Sequence, residues 1–194
     1  NTNPPILNMV DVGRRLSIVP IEKKEREMYR LYVGLTSNPK QIEEATRCGT
    51  HFPRVIGLKM FAGTSIGSLA VTEDEDQKNI YKTLACLDYT GVLAVHCERE
   101  QDLRPDLWNP MAPLTHSLAR PKVAEINSVA NQIKFAIETG FKGTLHVCHV
   151  SCPETVELVV AARTQGKIRI TCAITPHHIM WDGEMLARPN GLLY

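Results

Sequence analysis

Gly143-Thr-Leu-His-Val-Cys-His-Val-Ser-Cys-Pro-Glu-Thr155 holds a strand, a turn and the start of a helix in one stretch. The apolar run Thr144–Val150 is followed by Ser151 and Glu154, spaced as a capping box, with Pro153 in the first turn of the helix. The helical pattern then runs to Gly166, and a second apolar run, Ile168–Ile174, begins just beyond it. The same unit recurs upstream, at Arg30–Leu35, Val55–Phe61 and Val92–His96. These runs are near-continuously apolar rather than alternating, the pattern of parallel strands covered on both faces. Between them the spacing predicts a helix over Gln41–Cys48 behind Asn38 and Pro39, and another opened by a capping box at Thr72-Glu-Asp-Glu75 and running toward Gly91. A third, over Val123–Thr139, ends at Gly140. Strand-helix alternation at this spacing means an α/β fold with a parallel sheet.

Composition narrows the function classes. Of 194 residues, 43% are hydrophobic and 22% charged, an ordinary globular balance that excludes a disordered, collagenous or coiled-coil chain. A formal net charge of +1 gives no electrostatic case for nucleic acid or an anionic membrane surface. No apolar run approaches the roughly 20 residues that span a bilayer, so an integral membrane protein is not expected. The six cysteines are scattered singly with no CxxC pair, which points to buried thiols on apolar strands and a reducing, cytoplasmic setting. Cys148 and Cys152 alone do not make a structural zinc site, which needs four clustered ligands.

The polar residues favour a closed barrel over an open sheet. Lys59, His96 and His149 each come near the C-terminal end of a different run, the end at which (β/α)8 barrels carry their catalytic groups. No GxGxxG follows a strand, so the dinucleotide alternative lacks its fingerprint. The Gly63-Thr-Ser-Ile-Gly67 loop lacks the lysine of a phosphate-binding loop and reads as a strand-to-helix turn. Asn1–Met28 reads as mostly helical, with a solvated charged run at Glu22–Glu27. Glu98–Pro121, with Trp108 and His116, is long enough to be either a lid or an inert insertion.

A lysine inside an apolar strand is costly to bury charged, and two strand histidines are compatible either with hydrogen-bonded core positions or with metal ligands. Side-chain alternation puts His146 and His149, three apart, on opposite faces, so His149 is the inward candidate and His146 packs outward against helices. If His177-His178 stays extended, only one of that pair faces inward. A neutral lysine amine reacts with carbon dioxide to give a carbamate, an anionic ligand able to bridge two metal ions. Lys59, His96 and His149 alone still underdetermine a metal site.

Five motifs occur here in the order seen in one family: Asn1-Thr-Asn-Pro-Pro5, Gly57-Leu-Lys-Met-Phe61 with Gly63-Thr-Ser-Ile-Gly67, Val95-His-Cys-Glu98, Cys148-His-Val-Ser151 and Thr175-Pro-His-His178. The chain resembles the dihydroorotases, cyclic-amide hydrolases of the amidohydrolase superfamily. That resemblance implies a (β/α)8 barrel with one or two Zn2+ ions. Residues 1–194 would form part of one barrel domain, from about strand three to strand seven. Lys59 would be the carboxylated bridging lysine, His96 and His149 ligands of the second metal, and Asn1 a contact for the substrate's carboxylate. Arg120-Pro121 and Glu125 resemble a further family pattern of structural character. The implied reaction is reversible, zinc-dependent cyclisation of N-carbamoyl-L-aspartate to dihydroorotate, the third step of pyrimidine synthesis. The expected partners are that small-molecule substrate and, as an assembly the sequence leaves open, a homo-oligomer, with no nucleic acid or membrane.

The chain departs from the family pattern at both ends. The family's first strand carries an His-x-His pair that is absent here, and its last carries an aspartate, ligand and general base, expected beyond Tyr194. The chain therefore reads as an internal segment with no general base of its own and is expected to be inactive alone. Two other readings stay open: a hydantoinase or allantoinase, and a catalytically inactive dihydroorotase-like scaffold for a carbamoyltransferase.

Overall fold

The computed structural model describes residues 2–18, 29–65 and 67–188. Asn1, the charged run Glu22–Glu27, Ile66 of the glycine loop and the Leu-Leu-Tyr194 end lie outside the described residues. Five parallel strands form one sheet in chain order: β1 (Leu31–Gly34), β2 (Val55–Ala62), β3 (Val92–Cys97), β4 (Thr144–Val147) and β5 (Arg169–Cys172). The helices are α1 (Met9–Ile18), α2 (Pro39–His51), α3 (Asp74–Cys86), α4 (Thr115–Ala119), α5 (Lys122–Thr139), α6 (Pro153–Gln165) and α7 (Pro176–Met180). No helix among the described residues is long and apolar enough to cross a membrane.

Pairing register sorts the side chains into rows that alternate between the two faces of the sheet. Val33, Leu58, Leu93, Leu145 and Ile170 stand opposite one another across all five strands and are buried in one core. Ile42 of α2, Ile80 and Leu84 of α3, Val129 of α5 and Val159 of α6 complete that core. Each such side chain contributes about 1.5–3 kcal/mol by leaving water. One residue along, the row is Gly34, Lys59, Ala94, His146 and Thr171, on the other face. Lys59, His146 and Thr171 there are only half-buried or exposed. The expectation of strands covered on both faces therefore holds for the helix side alone among the described residues.

Several local expectations meet a different outcome. The helix near the N-terminus starts at Met9, because the chain before it lies along β1, where Gly34 N donates to Ile6 O at 2.8 Å. The N-cap of α3 is Glu73, without a side-chain cap, and Thr72 Oγ1 instead donates to the Glu73 carboxylate at 3.2 Å. The N-cap of α6 is Cys152, because the Ser151 hydroxyl and amide are taken by Glu125. Nor do the cysteines all sit buried on strands: Cys48 and Cys86 are helical and Cys86 is exposed, although all six are free thiols. The glycine stops behave as expected, with Gly140 and Gly166 left-handed just beyond α5 and α6.

Gly63, where β2 leaves the sheet, has φ +120°, and a Cβ there would lie 1.8 Å from the Glu98 carbonyl oxygen. Gly140 is left-handed too, but a Cβ would meet nothing. Gly63→Ala should therefore cost more than about 2 kcal/mol and Gly140→Ala only about 1 kcal/mol. Urea unfolding of the two variants measures the difference, and equal losses would contradict the close approach at Gly63.

Candidate functional site

Lys59 stands on β2 and His96 on β3, with Phe61, the register partner of His96, two residues after Lys59, so all three project from one face of the sheet. Lys59 is half-buried; its Nζ donates to Cys148 Sγ at 3.1 Å and lies 5.0 Å from the centroid of the Phe61 ring. His149 reaches the same place by a different route. β4 ends at Val147, and His149, two residues later, has φ +38°, a left-handed conformation costly for a side chain. That turn breaks strand alternation and brings His149 Nε2 to 3.3 Å from His96 Nδ1, the rings 5.0 Å apart and tilted by 60°. Lys59, His96, Cys148 and His149 line one cavity of about 1000 Å3, along with Asn3 and Tyr32.

His146 corrects the sequence expectation. It does not pack outward against helices but lies in the row of Lys59, its Nδ1 2.8 Å from Thr171 Oγ1. His177 and His178 are not extended: they lie in the short α7, His178 Nδ1 3.1 Å from the Val150 carbonyl and His177 against Thr175 Oγ1. Cys148 and Cys152 make separate contacts, Cys148 with Lys59 and Cys152 with Thr155 Oγ1 at 3.1 Å. Nothing in the spacing of Cys148 marks it as the partner of Lys59; only the turn after Val147 brings it there.

Electrostatics favours the uncharged imidazole at His146 and at His149. Burial, then the neighbouring His96 and Lys59, push His149 below its ordinary value, and burial and Lys59 do the same to His146. Burial would raise Glu98, but the His96 imidazole and the Arg120 guanidinium outweigh it and hold the carboxyl below its usual range. Arg120 Nε donates to Glu98 Oε1 at 2.9 Å and Nη2 to Glu98 Oε2, while Glu98 Oε2 lies 3.5 Å from His96 Nε2. His96 Nε2 is buried and makes no hydrogen bond.

The two imidazoles fit a divalent metal. A tetrahedral ion with nitrogens at about 2.0–2.1 Å separates them by roughly 3.4 Å, close to the 3.3 Å between His96 Nδ1 and His149 Nε2. Neutral imidazole is the form that ligates. Among the described residues, though, no group of three or more His, Cys, Asp or Glu side chains is gathered to hold an ion, so a third ligand would have to come from Lys59 in an anionic form or from elsewhere.

No protein-family model matches the chain. It is 31% identical over 196 residues to an allantoinase of Desulfitobacterium hafniense, covering 97% of this chain and 41% of that protein. A dihydroorotase of Methanosarcina mazei is 28% identical over 189 residues, 92% of this chain and 39% of that protein. The chain thus spans about two fifths of the length of these curated relatives. Among solved structures, a D-hydantoinase superposes with TM-score 0.70 at 21% identity, over 84% of this chain and 35% of that one. The L-hydantoinase (dihydropyrimidinase) of Arthrobacter aurescens gives TM-score 0.71 at 20% identity, over 95% and 40%. These likenesses establish the fold: the five-stranded parallel sheet is consistent with part of the TIM barrel of such amidohydrolases.

The left-handed backbone at His149 gives a direct check. Glycine relieves that conformation and alanine does not, so His149→Gly should be more stable than His149→Ala by about 1 kcal/mol. Chemical unfolding of both variants measures it, and a more stable alanine variant would contradict the turn.

Proposed function

We propose, from the premise that the chain is a homologue of the dihydroorotases and allantoinases of the amidohydrolase superfamily, that it supplies part of the metal centre of a cyclic amide hydrolase. The observation that carries this reading is the 3.3 Å approach of His96 Nδ1 and His149 Nε2 beside Lys59 in one cavity. In it His96 and His149 are neutral nitrogen ligands for Zn2+. Lys59, its amine joined to carbon dioxide with loss of a proton, is a carbamate ligand, the anionic donor beside the two imidazoles. When bound, zinc lowers the pKa of a water toward neutrality and polarises an amide carbonyl. The chain's own part is to hold the donors: the Phe61 ring centroid lies 5.0 Å from Lys59 Nζ, and the half-buried setting of His149 favours its uncharged imidazole. The general base of this reading lies outside these residues, on a barrel domain of which residues 1–194 form part.

The substrate we favour is dihydroorotate, in equilibrium with N-carbamoyl-L-aspartate, on the strength of Thr175-Pro-His-His178 and the Lys59-Met-Phe61 to Gly63-Thr-Ser65 motif. The second reading, allantoin, is supported by the 31% identity to an allantoinase along nearly the whole chain. Six free thiols are in keeping with a reducing cytoplasm.

In the full-length protein, Lys59→Ala, His96→Ala and His149→Ala should each abolish zinc binding, measured by elemental mass spectrometry, together with turnover. A variant with normal metal content and turnover would overturn the assignment, as would a metal-free wild type, the result expected of an inactive scaffold. Parallel assays with dihydroorotate, allantoin and hydantoin should favour dihydroorotate, and preference for either other ring would replace the substrate.

A further inference from the structure

Arg120 and Glu125 flank the start of α5, five residues apart, with Pro121 as the N-cap between them. Each reaches away from its own helix toward a different imidazole. Arg120 grips both oxygens of Glu98 and also donates to Thr64 O at 2.8 Å. Glu98 is fixed from below by its amide, which donates to Ala62 O at 2.9 Å, and its Oε2 faces the buried Nε2 of His96. Glu125 accepts from the Ser151 amide at 3.1 Å and from the Ser151 hydroxyl at 2.6 Å, two residues after the left-handed His149.

An acidic residue in a helix's first turn stabilises that helix, and an arginine–glutamate pair can be merely structural. Neither explanation accounts for the two reaches ending on neighbours of the two converging imidazoles, Glu98 beside His96 and Ser151 two residues after His149. A carboxylate oxygen 3.5 Å from Nε2 favours the ring proton on that nitrogen by its charge and leaves Nδ1 as the lone-pair donor toward His149. A carboxylate holding the Ser151 amide and hydroxyl restrains the turn that aims Nε2 of His149 back at His96.

We propose that Arg120 and Glu125 are positioning residues of the metal centre. Arg120 acts on His96 through Glu98, and Glu125 acts on His149 through Ser151. This rests on the metal-centre reading above.

The test uses the full chain, 15N-labelled at histidine and zinc-free, with ring signals assigned from His96→Ala and His149→Ala. In the wild type His96 should carry its proton on Nε2. Arg120→Ala should shift the His96 ring toward mixed tautomers and move His149 less, through its Nε2 3.3 Å from His96, while Glu125→Ala should move His149 more than His96. Chelator competition should then give zinc affinities about 10–100-fold weaker in each variant. Arg120→Lys should not restore affinity, because an ammonium cannot hold both Glu98 oxygens at once. Should an alanine variant fail to fold, Arg120→Lys and Glu125→Gln carry the same ring comparison.

Folded variants with wild-type ring signals and zinc affinity, whatever their loss of stability, would overturn the proposal. So would variants that disturb both rings alike. A wild-type chain that binds no zinc would sink the metal-centre reading instead, and the zinc-free ring signals would still decide whether the two residues position the imidazoles.

Discussion

Five strands held in parallel register divide their side chains between two environments, and the rest of the molecule follows from that division. The row Val33, Leu58, Leu93, Leu145 and Ile170 goes under the helices, and the row containing Lys59 and His146 cannot follow it, because successive residues of a strand face opposite ways. A slip of one residue in β2 or β4 would exchange a core leucine for Lys59 or His146, so register there is strongly specified. The polar face is thus a by-product of the same pairing that builds the core, and His96, two residues further along, joins it through its pairing with Phe61.

His149 is the exception to that geometry, and a costly one. Its backbone is left-handed, a conformation that a side chain adopts only where the surroundings fix it. Several contacts do so: Val150 N donates to Ala173 O at 2.8 Å, His178 meets the Val150 carbonyl, and Glu125 holds Ser151. Near the end of β2, Gly63 lets the chain press against the Glu98 carbonyl, which brings that residue's carboxylate to His96. Strain at a turn and a glycine where a side chain will not fit are both found beside the converging imidazoles.

The strands were legible because each carried an apolar run ended by a turn residue, and the helix ends at Gly140 and Gly166 because glycine alone takes those conformations freely. Lys59, His96 and His149 were legible as polar residues late in apolar runs, and they line one cavity. What escaped was set by partners distant in sequence. Ser151 has the spacing of a capping box, yet Glu125, 26 residues away, captures its hydroxyl. His146 was placed outward on the assumption that the run extended to Val150; the strand stops at Val147, and alternation counted across a turn gives the wrong face. The contact of Cys148 with Lys59 arises from that same turn.

X-ray absorption at the zinc edge of the full protein tests the central claim most directly, because it reads the ligands rather than their consequences. Convergence of His96, His149 and a carbamylated Lys59 predicts a shell of nitrogen and oxygen at about 2.0–2.1 Å with the outer scattering of imidazole rings, lost in the His96→Ala, His149→Ala double variant. A shell of sulfur near about 2.3 Å, or an imidazole signal unchanged in that variant, would mean that zinc is held elsewhere and would contradict the account.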